Sequence, residues 1–237
     1  MNGEAALLLL ADSRLPAGGH AHSGGVEEAV RRGAVTGTGD LARFLRGRLA
    51  TAGLVTAALA AAACELAASE SASESAAELW RGLDAEADAR TASPAQREAS
   101  RTQGRLLLRT ARRMWPSADL DTLTRAVPEG PHHPVALGAA GASAGCAPRQ
   151  AALTAAYTSV TGPATAAVRL LGLDPVTVHR LLADLAPAIE DTARAACAPP
   201  GDAAGPAGWH ALPGHSAPAL DLLAEGHLTN PMKLFVS

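Results

Sequence analysis

Apolar residues recur along the chain at three- and four-residue spacings, in blocks parted by Gly, Pro and Ser clusters. No run of alternating β-branched residues is long enough to read as a strand. The blocks predict helices over about 4–11, 24–33, 39–67, 70–90, 94–115, 118–126, 134–145, 149–171, 175–196 and 217–227. The expected architecture is all-α, a single-domain compact helical bundle of about ten helices spanning residues 1–237. Ser93-Pro94-Ala95-Gln96 reads as a capping box with proline at the first helical position, and Asp174-Pro175 as an N-cap followed by the same device. Gly162-Pro163 predicts a kink or an interruption of its helix. The stretch APPGDAAGPAGWHALPG, Ala198 to Gly214, predicts a mobile loop.

Composition sharpens this picture. Hydrophobic residues make up 48% of the chain but aromatics only 3%, so the core must be built from Leu, Val and Ala, which favours closely packed helices. A net charge of -3 gives no general pull toward nucleic acid or an anionic membrane, and neither is expected as a partner. Leu49 to Cys64 is uncharged, yet it is mostly alanine and shorter than a membrane span. Cys64, Cys146 and Cys197 are odd in number and far apart, which suggests neither a disulfide framework nor a metal clip. The opening MNGEAALLLLADSR has Glu4 where a secretory signal carries basic residues, so a reduced, cytoplasmic protein is expected.

Arg97, Arg101, Arg105, Arg109 and Arg113 recur every four residues, while the preceding block carries Glu70, Glu74 and Glu78, then Asp84, Glu86 and Asp88. A turn at Ser93-Pro94 would lay the two helices antiparallel. The stripe then reads as a solvated hairpin with complementary charges, each pair adding little stability, or as a partner surface.

Catalytic motifs are scarce. The single lysine, Lys233, follows Met232, so there is no Walker A loop, and Schiff-base chemistry finds no support. The glycine-rich stretch DSRLPAGGHAHSGGVEEAV, Asp12 to Val30, lacks GxSxG spacing, and Ser23 reads as an N-cap for a helix opening at Gly24. His20 and His22 would share a metal if the segment were extended, but two ligands do not make a site. No catalytic residue, firm cofactor or firm metal ligand is expected. Other classes that fit a helical chain are a ligand-sensing regulator, which needs a recognition helix with a basic face, and a metal-dependent hydrolase.

The order Ser13, Leu15-Pro16, Gly18, Ser23, Gly25, Glu27 resembles the N-terminal signature of the UreF family of urease accessory proteins, roughly S-x-L-P-x-G-x-F-x-x-S-x-G-L-E. Further matches follow in order: Arg97-Glu98-Ala99-Ser100 with Gly104 and Leu107, His133 to Gly138, Gln150 through Ala167 to Leu170, and the closing Leu234-Phe235 with Ser237. His20 stands where the family has an aromatic, Val26 replaces a leucine, and RLLGLD lacks the family's glutamine, which marks a divergent branch.

The resemblance implies a non-enzymatic scaffold that works with UreD or UreH and the GTPase UreG to deliver nickel to apo-urease, with nickel handled by the complex. It also implies a homodimer. Carried over by position, the partner-facing residues are His22, Ser23, Glu27, Arg169, His227, Lys233, Leu234 and Phe235, with His20 and His22 as transient nickel contacts. The apolar end, residues 228–237, is expected to dock on the UreD or UreH partner, and its removal to leave the fold's stability almost unchanged.

Overall fold

A computed structural model describes residues 3–69, 75–197 and 206–237. Among them the chain forms α1 (Glu4–Ala11), α2 (Val26–Arg31), α3 (Thr38–Arg48), α4 (Leu54–Ala68), α5 (Ser75–Ala89), α6 (Pro94–Met114), α7 (Ala118–Ala126), α8 (His133–Ser143), α9 (Pro148–Leu171), α10 (Pro175–Ala196) and α11 (Pro218–Leu228). There is no strand among the described residues. A five-residue π-helical turn, Leu49–Gly53, joins α3 to α4, so the segment expected as one helix is continuous, with its hydrogen-bond spacing widened in the middle.

Helix α4 is the centre of the body, packed between α8 and α9, with α10 over α9 and α6 across α8. Its alanines Ala57, Ala58, Ala60 and Ala63 are buried, as are Ala136, Ala139 and Ala140 of α8. Small side chains let these helices approach at the short end of ordinary packing distances. Gly138 shows how close they come: a Cβ there would sit 2.2 Å from the Ala60 carbonyl oxygen. At Gly104 of α6, a Cβ would lie 1.9 Å from the Pro131 carbonyl oxygen. The segment Thr38–Ala68 is long and apolar enough to cross a membrane by length and composition, but 67% of its most apolar window is buried inside this protein, where it serves as the core helix.

Several local expectations are modified by tertiary contacts. Ser93 caps α6 by accepting the Gln96 N–H at 3.1 Å, but the Ser93 N–H goes to Asp221 of α11 instead of Gln96. Glu225 of the same helix accepts the Ala95 N–H at 3.0 Å and the Ser93 hydroxyl at 2.5 Å. Two carboxylates from α11 thus serve the N-terminus of α6, where the helix dipole favours them. Asp174 caps α10 as expected, accepting from Val176 and Thr177. Helix α9 runs through Pro163 without interruption.

The charged hairpin takes a different form. Helix α5 lies mainly against α7, not along α6. Arg101 bonds Asp84 at 2.8 Å and Asp88 at 3.2 Å, and its side chain is only 16% exposed; His132, also buried, donates its N–H to Asp84 at 2.7 Å. Arg101 therefore belongs to a buried network and not to a solvated pair, whereas Arg105 remains exposed and reaches Glu98 and the Glu129 carbonyl. Glu70 and Glu74 lie outside the described residues, as does 198–205 of the expected mobile loop. The rest of that loop is anchored: Pro206–Ala211 forms a 3-10 turn, Trp209 is buried, and Arg90 donates to the carbonyls of Trp209, Leu212 and Pro213.

Candidate functional site

The glycine-rich loop before α2 meets the C-terminal tail. Gly18, Gly24 and Gly25 adopt positive φ (77°, 61° and 89°), which glycine alone adopts without steric cost, and the loop they shape runs beneath the C-terminal tail. The Val236 N–H donates to the Ala21 carbonyl at 2.7 Å and the Ser23 N–H to the Ser237 carbonyl at 2.5 Å, a strand-like pairing of tail to loop. His22 Nδ1 lies 2.6 Å from the Ser237 hydroxyl. Because the helix begins only at Val26, after two left-handed glycines, Ser23 is not its N-cap; its hydroxyl reaches the Glu27 N–H only at 3.5 Å.

Glu27 is the centre of this clasp. One carboxylate oxygen accepts the Leu234 N–H at 2.6 Å; the other accepts the Phe235 N–H at 3.1 Å and lies 2.8 Å from His227 Nε2. Glu27 and His227 are buried, and His227 Nδ1 is the buried side-chain atom left without a partner among the described residues. Phe235 is 5% exposed, with the Arg169 guanidinium 5.1 Å from its ring centre, a cation–π contact.

The sequence-derived site residues are thus brought together, but in two roles. His22, Ser23, Glu27, His227 and Phe235 are buried, and their hydrogen bonds and packing hold the clasp closed. Within the isolated chain the Phe235 ring packs into the core, while the neighbouring Leu234 of the same tail stays exposed. Lys233 and Arg169 are exposed, and so are Met232, Leu234 and Val236, at 85%, 69% and 56%. His20 is exposed on its 3-10 turn while His22 is buried, and no group of three or more His, Cys, Asp or Glu able to hold a metal occurs among the described residues.

Beside the clasp opens a cavity of ≈ 1010 Å³, lined among others by His22, His133, Arg48, Tyr157, Arg169 and Phe235. Burial, with His20 nearby, holds His22 down at about 4, and burial beside His22 does the same to His133. Burial raises the Cys64 thiol to about 12, so it is a core group and not a nucleophile. Arg48 is the member of this wall that sequence reasoning missed. Its signal was an arginine opening an uncharged stretch, opposite a proline in a helical pattern.

Fold and clasp define an all-helical protein that ties its glycine-rich loop and its tail into one exposed, partly apolar platform. The UreF family model matches residues 35–186. Proteins named urease accessory protein UreF match over the whole length. That of Mycobacterium sp. (strain JLS) is 48% identical, covering 98% of this chain and 97% of its own; that of Mycolicibacterium vanbaalenii is 47% identical over the full length of both. The Mycobacterium tuberculosis (strain H37Rv) protein is 44% identical, again over both full chains. The chain belongs to the UreF family of urease accessory proteins.

Proposed function

We propose that this protein is a non-enzymatic scaffold of urease maturation. It acts with UreD or UreH and the GTPase UreG to assist nickel insertion into apo-urease, as a cytoplasmic homodimer that binds no cofactor firmly itself. The observation that carries the reading is the full-length match to proteins named urease accessory protein UreF, which includes both segments of the clasp. The clasp supplies a physical route to partner binding: Glu27 fixes the tail backbone so that Lys233, Leu234 and Val236 stand in water on a rigid base. An ordered apolar strip of this kind offers a partner contact without the entropy cost of ordering a free tail.

Co-purification of the intact protein with urease subunits and the other accessory proteins tests this. Leu234→Asp with Lys233→Ala is expected to lose capture of the UreD or UreH partner while melting as the wild type does. Unchanged capture by this variant removes the strip from the interface, and failure of the wild type to capture any urease maturation partner refutes the scaffold reading.

A further inference from the structure

Two helix irregularities meet at one side chain. The π-helical turn Leu49–Gly53 follows directly on Arg48, and such turns are rare and concentrate at functional sites. Facing it, α9 carries Pro163 in its interior. Proline has no N–H, so the carbonyl four residues earlier, that of Ser159, loses its intrahelical donor. Arg48 Nε supplies the replacement, donating to the Ser159 carbonyl at 2.9 Å, while Nη1 donates to the Gly24 carbonyl at 2.9 Å. Gly24 makes room for this: a Cβ there would sit 2.8 Å from Pro163 Cγ and 3.3 Å from Arg48 Cζ.

The guanidinium is therefore fixed in place with its charge uncompensated. Among the described residues Arg48 has no carboxylate partner, and Nη2 makes no hydrogen bond. Burial alone pushes its pKa down to about 10. Arg48 lines the ≈ 1010 Å³ cavity, whose acidic wall residues are already engaged elsewhere: Asp12 with Arg14 at 2.8 Å and Glu98 with Arg105 at 3.2 Å. Arg169 and Lys233 add positive charge to the same wall. Ser100 Oγ accepts the His133 N–H at 3.0 Å, which leaves its own O–H free to donate, and Gln103 lines the cavity as well.

We infer that this cavity is a binding site for a small oxyanion of the carboxylate or phosphate class, seated on the free Nη2 edge of Arg48. A guanidinium held by two backbone carbonyls is pre-organised, so little is lost in side-chain entropy when an oxyanion takes the remaining donors. The inference stands on this chain's geometry and does not rest on the accessory role.

The test is a titration of the full-length ¹⁵N-labelled protein with inorganic phosphate and, separately, with acetate, at ionic strength held constant with chloride. The Arg48 Nε–H and Gly25 N–H resonances are followed. Saturable shifts at both are expected for at least one of the two anions, and the arm that saturates names the class. Arg48→Gln is expected to weaken binding at least ten-fold, while Arg109→Gln leaves it unchanged. Shifts that chloride reproduces, shifts that do not saturate, or affinity retained within two-fold by Arg48→Gln would overturn the inference. If Arg48→Gln does not fold, the wild-type resonances decide alone. If neither anion binds but Arg48→Gln abolishes capture of an acidic protein partner, the guest is that partner's side chain and the free-anion site is refuted.

Discussion

Replacing Glu27 with alanine is the sharpest probe of the clasp. The substitution strips acceptors from the Leu234 and Phe235 N–H groups and from His227, donors that the fold otherwise buries. Leaving one buried group unsatisfied costs about 1–3 kcal/mol, so three would cost more than the tail's attachment is worth. The tail is then expected to swing out and rehydrate. The loss is capped near the value of that attachment, chiefly Phe235, whose burial contributes about 1.5–3 kcal/mol. A net destabilisation of about 2–4 kcal/mol follows, which lowers Tm by roughly 5–15 °C for a chain of this size. Glu27→Gln should fall between alanine and wild type. The amide keeps the shape but turns an N–H₂ toward backbone N–H donors. Urea denaturation and melting measure the stability, and chymotryptic cleavage at Phe235 reports the released tail. A Glu27→Ala protein within about 0.5 kcal/mol of wild type, the range of ordinary surface changes, would refute the reasoning.

Three further outcomes follow from the packing and the charges. His22 and His133 are held near 4 against an ordinary 6.5, so the unfolded chain takes up protons the folded protein refuses; stability should be complete above about pH 7 and fall between 6.5 and 4, by up to about 1.4 kcal/mol per pH unit for each histidine. Glu28, held at about 2 by Arg31 first and Arg32 second, acts only below its ordinary 4.5, so a Tm flat between pH 6.5 and 4.5 would contradict the histidine assignment. Gly104→Ala and Gly138→Ala should each abolish soluble protein or cost more than about 3 kcal/mol, because the added Cβ meets backbone atoms at 1.9 and 2.2 Å; Gly162→Ala, with nothing within 4 Å, should stabilise α9, by about 0.5–1 kcal/mol in urea unfolding. Arg101→Ala should cost about 3 kcal/mol or more by leaving buried Asp84 without its cation; Arg105→Ala should cost about 1 kcal/mol or less, and equal costs for the two would argue against the buried network.

The periodicity of apolar positions was sufficient for the helices, because an amphipathic stripe is a local property written in consecutive residues. The observed bounds of α1, α7 and α10 coincide with those expected from it. The glycine-rich loop and the apolar end were each legible as unusual, as was the family through its motif order. Their meeting was not. Ser23 has the chemistry of a helix cap, but a pair of left-handed glycines moves the helix start away from it and its N–H turns to Ser237 instead. The four-residue arginine repeat looks uniform in sequence. Whether a given member lies in water or in a buried network depends on what packs across it: Asp84 and Asp88 of α5 and the Gly130 carbonyl enclose Arg101, while Arg105 stays exposed. Glu27 and His227 are separated by two hundred residues, and Arg48 gains its partners only because a proline in another helix frees a carbonyl. Sequence therefore determined the elements, whose causes lie within one or two helical turns. The sites are sums of long-range contacts, and only the packing of those elements decided which polar groups lost their water and had to find one another.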